Sequence, residues 1–128
     1  MMKLNKKQKE VCAKIEIIAQ LAGIDPTWAQ AVAMTESSLG LHQKSPTDAR
    51  GVFQMTPIAM KDLLLEMEKS DSDDEFIDIV CGVAFLRVLL NRWGSIDDAT
   101  MHYCDPLDRH FYVKRVADYI KQLKEIEK

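Results

Sequence analysis

Glu36 is the residue of this 128-residue chain whose type and place point most directly to chemistry. Ala29, Val32, Ala33 and Glu36 fall at helical offsets, so a carboxylate stands in line with an apolar stripe. Such a carboxylate is costly unless it is protonated, paired or functional. Desolvation raises its pKa, and a carboxylic acid that keeps its proton near neutral pH can deliver it to a leaving oxygen, the task of a glycosidase general acid. The position alone fits a plainer reading equally well, a glutamate at a helix end that turns out to solvent.

Other reactive side chains show no comparable pattern. Asp71, Asp73, Asp74, Glu75 and Asp78 lack the glycine and closing glutamate of an EF-hand loop, and they read as an acidic helix entry. His42, His102 and His110 have no metal-ligand spacing with one another or with Cys104, so neither a metal nor a cofactor is expected. Cys104 and His102 stand two residues apart, which on a helix turns them to different sides and argues against a nucleophile pair. Cys12, Cys81 and Cys104 are odd in number and have no CxxC spacing, which predicts buried thiols and no disulfide framework.

The elements that must position Glu36 are helical almost throughout. Val11, Ile15, Ile18 and Ala22 recur at helical spacing before the stop at Gly23. Asp25-Pro26 then supplies an N-cap and a first-turn proline for a helix running to about Ser37. From Leu39 to Gln54 the periodicity disappears into a long polar loop. Thr56-Pro57 opens a further helix with Met60, Leu63, Leu64 and Met67 inward. Phe76 to Trp93, closed by Gly94, reads as the central buried helix. Ser95-x-x-Asp98 caps a short helix through Tyr103, and a last helix from about Leu107 to Lys124 buries Val113, Val116, Ile120 and Leu123. The expected architecture is all-α, a compact domain of about six helices with a long polar loop beside the site.

Composition sets the remaining bounds. One domain over residues 1–128 is expected from the length, with 47% hydrophobic and 29% charged residues, the balance of a soluble globular chain. Seventeen Lys+Arg against twenty Asp+Glu leave a net charge of -3, without the electrostatic footprint of a nucleic-acid binder. The longest apolar stretch, Ile79 to Leu86, is far short of the ~20 residues that span a bilayer. The basic start, Met1 to Lys9, is followed by no apolar block, so general secretory export is not expected from these residues. Its lysines at 3, 6, 7 and 9 read as a solvated helix start.

Around Glu36 the sequence carries a wider pattern. Glu36-Ser37-Ser38, then Ser45, then Ala49-Arg50-Gly51-Val52-Phe53-Gln54-Met55-Thr56-Pro57 resembles the signature of the soluble lytic transglycosylase (SLT) family, whose fold is goose-type-lysozyme-like. In that family an E-S dipeptide ends a helix, a serine comes nine residues after the glutamate, and a G-A-x-G-L-M-Q-hydrophobic-x-P block follows. Ser45 and Gln54 stand at the matching offsets. Upstream, Gly23-Ile24-Asp25-Pro26 matches the turn into the helix that carries the glutamate. Downstream, Asp78-Ile79-Val80-Cys81-Gly82 with Phe85-Leu86, Ala99 to Tyr103, and Tyr112-Val113 with Val116 resemble three further family segments in the family's order. The resemblance spans residues 20 to 120, and several ordered motifs are far harder to meet by chance than one. Asp48 stands in place of the glycine of the G-A pair, and Cys104 with Asp105-Pro106 in place of a Y-N-x-G turn.

The resemblance implies a peptidoglycan lytic transglycosylase; a monomer without a cofactor is expected. It cleaves the β-1,4 bond between N-acetylmuramic acid and N-acetylglucosamine and leaves a 1,6-anhydro ring. Glu36 is then the single acid and base, and the substrate's acetamido group does the work of a second carboxylate. The same match makes Ser45, Gln54, Tyr103 and Tyr112 substrate-binding candidates, with Thr47 as a further polar contact. Two alternatives stay open. One is a hydrolase of the same fold, a muramidase in which Asp48 is the second carboxylate and activates water across the cleft. The other is a non-catalytic peptidoglycan-binding module, the reading that Cys104 and the altered turn favour. The expected setting is synthesis in the cytoplasm and action on the cell wall or periplasmic peptidoglycan, as in a phage or an envelope machine.

Overall fold

The computed structural model describes residues 2–41, 52–54, 75–103 and 109–126, and among these every regular element is a helix. We number them α1 (Lys6–Ala22), α2 (Pro26–Ser37), α3 (Glu75–Trp93), α4 (Ile96–Tyr103) and α5 (Arg109–Ile126). The helix expected from Thr56 lies outside the described residues, as do Cys104 and the turn after it.

Local chemistry fixes the helix ends. Asn5 and Gln8 form a reciprocal capping box at the start of α1: the Asn5 side chain accepts from the Gln8 amide at 2.8 Å, and Gln8 Oε1 accepts from the Asn5 amide at 3.0 Å. Gly23 ends the helix at φ 74°, a left-handed conformation that costs glycine little. Asp25 then accepts from the Thr27 amide at 2.9 Å, with Pro26 in the first turn of α2. The Ser95 hydroxyl accepts from the Asp98 amide at 3.1 Å and opens α4.

Packing departs from the expected pattern in several places, one of them α5, where Val116 and Leu123 are buried but Val113 and Ile120 only half-buried. The inward stripe of α1 is Gln8, Val11, Ile15 and Ala19, whereas Ile18 and Ala22 are only half-buried on its flank. The central helix is α2 rather than the long apolar α3. Nine of twelve α2 residues are buried against seven of nineteen in α3, where Phe76, Val88 and Trp93 face solvent. Three alanines within α2, Ala29, Ala31 and Ala33, let α1 and α5 close on it from two directions, which larger side chains would prevent. Lastly, Cys12 and Cys81 are both thiols, but only Cys81 is buried and Cys12 is half-buried.

Directional bonds fix α2 among its neighbours. Trp28 Nε1 donates to Thr100 Oγ1 at 2.8 Å, joining α2 to α4 through two buried side chains. Gln30 Nε2 donates to the Cys12 carbonyl at 3.0 Å, joining it to α1. Buried polar groups left without partners would cost about 1–3 kcal/mol each, so these bonds select one rotation of α2 about its axis. That rotation sets where Glu36 emerges. No described helix is long and apolar enough to cross a membrane.

Candidate active site

Glu36 is the last residue but one of α2, and the chain reverses directly after it. Ser38, Leu39 and Gly40 take φ values of 52°, 56° and 90°, three consecutive left-handed residues of which only the last is glycine. Each non-glycine residue in this region costs about 1–3 kcal/mol and persists only where its surroundings over-determine it. The surroundings do so here. The Ser38 amide donates to the Met34 carbonyl at 2.9 Å and the Leu39 amide to the Ala33 carbonyl at 3.3 Å. Gln8 Nε2, on the capping residue of α1, donates to the Ser38 carbonyl at 3.1 Å, and the Leu39 side chain is fully buried.

The carboxylate meets α5. Tyr112 Oη donates to Glu36 Oε1 at 2.8 Å across a partly buried contact. Burial pushes the Glu36 pKa above the ordinary glutamate value; the Tyr112 hydrogen bond works the other way and is the smaller effect. A phenol carries no charge, so it orients the acid without stripping its proton.

Behind this pair stands Tyr103 on α4, its ring stacked on Tyr112 with centroids 6.4 Å apart and tilted on Phe85 at 5.4 Å. Burial, and after it the charge of Glu36, push the Tyr103 pKa well above its ordinary value, which keeps the phenol a donor. Its hydroxyl donates to the Phe53 carbonyl at 2.6 Å. This carbonyl immediately precedes Gln54, a half-buried residue held at φ 51°. The Phe53 ring packs on Gly82 of α3 so closely that a β-carbon there would overlap it.

Of the residues singled out in the sequence, the structure thus brings Glu36 and Tyr112 into direct contact and puts Tyr103 against Tyr112. Gln54 follows the carbonyl that Tyr103 holds. Ser45, Thr47 and Asp48 lie outside the described residues. His102 stacks flat on Trp93 with centroids 3.6 Å apart, and its Nδ1 lies 2.8 Å from the Asp98 carbonyl oxygen. Among the described residues no group of three or more His, Cys, Asp or Glu side chains converges to hold a metal ion.

Sequence reasoning gave no role to Ser37. Its buried hydroxyl contacts the carbonyls of Ala33, at 3.2 Å, and Val52, and it accepts from the Gly40 amide at 3.0 Å. The available signal was the E-S dipeptide, which marks the serine but not what it bonds, since a serine in a helix's last turn ordinarily bonds back to its own helix.

The arrangement offers one half-buried acid, held by a neutral donor, able to give a proton and take it back. Compared with known families, residues 14–108 match the model of the transglycosylase SLT domain. No curated protein and no solved structure matches the chain significantly.

Proposed function

Since the chain belongs to the transglycosylase SLT domain family, a family of peptidoglycan-cleaving transglycosylases, we propose that it cleaves the β-1,4 bond between N-acetylmuramic acid and N-acetylglucosamine. Glu36 serves as the only acid and base. In its neutral form the acid accepts from Tyr112 on Oε1 and carries its proton on Oε2, from which it protonates the glycosidic oxygen as the bond to the muramic C1 breaks. The carboxylate so formed takes the proton of the muramic C6 hydroxyl, whose oxygen closes on C1. The product is a 1,6-anhydro ring, water is not consumed, and Glu36 ends protonated as it began. The substrate's acetamido oxygen stabilises the developing cation, and this is why one carboxyl group suffices.

The observation that carries this reading is the 2.8 Å bond from Tyr112 to an acid whose pKa burial raises. A cationic partner at that place would have fixed Glu36 as a carboxylate unable to start the reaction. Gln54, Ser45 and Thr47 are proposed sugar contacts, with Tyr103 and Tyr112 lining the same place, and residues 1–128 are proposed to act as one catalytic domain. Digestion of purified peptidoglycan followed by mass spectrometry tests the reaction. Anhydro-muropeptides are the expected product, lost in Glu36→Gln. Reducing-end products would instead assign the hydrolase with Asp48 as second carboxylate, and wall binding without any product would assign the non-catalytic module.

A further inference from the structure

The Val52–Gln54 segment is held at two successive carbonyls by side chains from two different helices. Ser37, from the last turn of α2, bonds the Val52 carbonyl, and Tyr103, from the last turn of α4, bonds the Phe53 carbonyl at 2.6 Å. Between these anchors Val52 and Phe53 are buried, and the Phe53 ring fills the space left by Gly82. Gln54 follows at φ 51°, a backbone state a glutamine holds only when its neighbours are fixed.

We infer that Ser37 is a positioning residue, whose buried hydroxyl fastens the Val52–Gln54 segment to the helix carrying Glu36 and so sets the distance between Gln54 and Glu36. A hydroxyl has one proton to donate and oxygen lone pairs to accept with. At Ser37 the proton goes to the Val52 carbonyl, the closer of the two acceptors, while the Ala33 carbonyl receives the Leu39 amide. The same oxygen accepts from the Gly40 amide, so one side chain joins the end of α2, the reversal after it and the segment bearing Gln54. Because Ser37 is adjacent in sequence to Glu36, an error in its seating moves both groups relative to a bound sugar. Misplacements on the scale of an ångström are costly to an oriented reaction.

The inference rests on the proposed roles of Glu36 and Gln54, and a double-mutant cycle separates its failure from theirs. Ser37→Ala, Gln54→Ala and the double variant are compared by anhydro-muropeptide release and by thermal melting. In the natural background Ser37→Ala is expected to lower kcat/KM roughly tenfold. In the Gln54→Ala background it is expected to lower it less than about twofold, since the group it positions is gone. The melting temperature should fall equally in both backgrounds, and Ser37→Thr, which keeps the hydroxyl, should regain activity. Equal losses of kcat/KM in both backgrounds, or full activity of Gln54→Ala, overturn the inference while leaving Glu36 to be judged by Glu36→Gln. Should Ser37→Ala fail to fold, Ser37→Cys, which keeps a side chain of similar shape but donates only weakly to the Val52 carbonyl, is carried through the same cycle with the same expectation.

Discussion

Glu36, at the end of α2, and Glu75, at the start of α3, are both half-buried glutamates at helix termini, and burial acts on both to raise the pKa. They end on opposite sides of the ordinary value. At Glu75, burial is outweighed by Lys7 and Lys14 on α1, whose hydrogen bonds and charges together hold the pKa down. At Glu36 the hydrogen-bond partner that bears on the pKa is the neutral Tyr112, and burial prevails. Burial therefore does not by itself make an acid catalyst. The charge of the partner decides whether the proton stays, and a phenol is the partner that leaves it.

The comparison breaks most visibly at Glu36 itself. Glu36→Gln keeps the shape and removes the acidic proton, so glycan cleavage should fall by about 10²–10⁴-fold, measured as release of soluble muropeptides. Tyr112→Phe removes the lowering contribution and leaves the burial. The Glu36 pKa should rise further, moving the alkaline limb of the pH–rate profile to higher pH, with a roughly tenfold loss of kcat/KM as the acid loses its orientation. A shift of that limb to lower pH would contradict the assignment.

Stability sharpens the same contrast, because the two shifts have opposite signs. A folded pKa above the unfolded one gives a contribution that is present below the unfolded value and lost as pH rises through the folded value; this is Glu36. A folded pKa below the unfolded one gives a contribution present above the unfolded value and lost as pH falls through the folded value; this is Glu75. Glu36→Gln should therefore raise the melting temperature at neutral pH, a gain that shrinks under acid conditions where the natural residue is also neutral. Glu75→Gln should lower it at neutral pH, with a loss of stability of no more than about 1 kcal/mol because the lysine partners are half-exposed, and 1 M salt should reduce the difference. Matching signs for the two variants would remove the contrast.

What the sequence made legible was whatever depends on near neighbours. The stops at Gly23 and Gly94, the Asp25-Pro26 entry and the Ser95 cap each need only a few consecutive residues to specify them, and the helices begin and end there. The second half of the α1 stripe was misread, Ala19 being buried where Ile18 and Ala22 were expected, because the rotation of a helix about its axis is set by what it packs against. The importance of α2 was underestimated for a related reason: alanines bury little area each, yet they admit neighbouring helices closely. Gly82 could be read as a glycine in a motif, but its cause is the ring of Phe53, contributed by a distant part of the chain. Glu36 stood out because a carboxylate on an apolar stripe violates a local rule. Ser37 and the carbonyl bonded by Tyr103 did not stand out, since a side chain that serves the backbone of a remote segment leaves no local trace.

The claim beneath this account is that Glu36 holds its proton where an ordinary glutamate would have lost it. Carbon-13 NMR titration of the side-chain carboxyl groups tests it directly, with Glu36→Gln and Glu75→Gln identifying the two resonances. The account predicts that Glu36 titrates above the ordinary glutamate value and Glu75 below it in the same sample. A Glu36 midpoint at or below the ordinary value, or one no higher than that of Glu75, would contradict it.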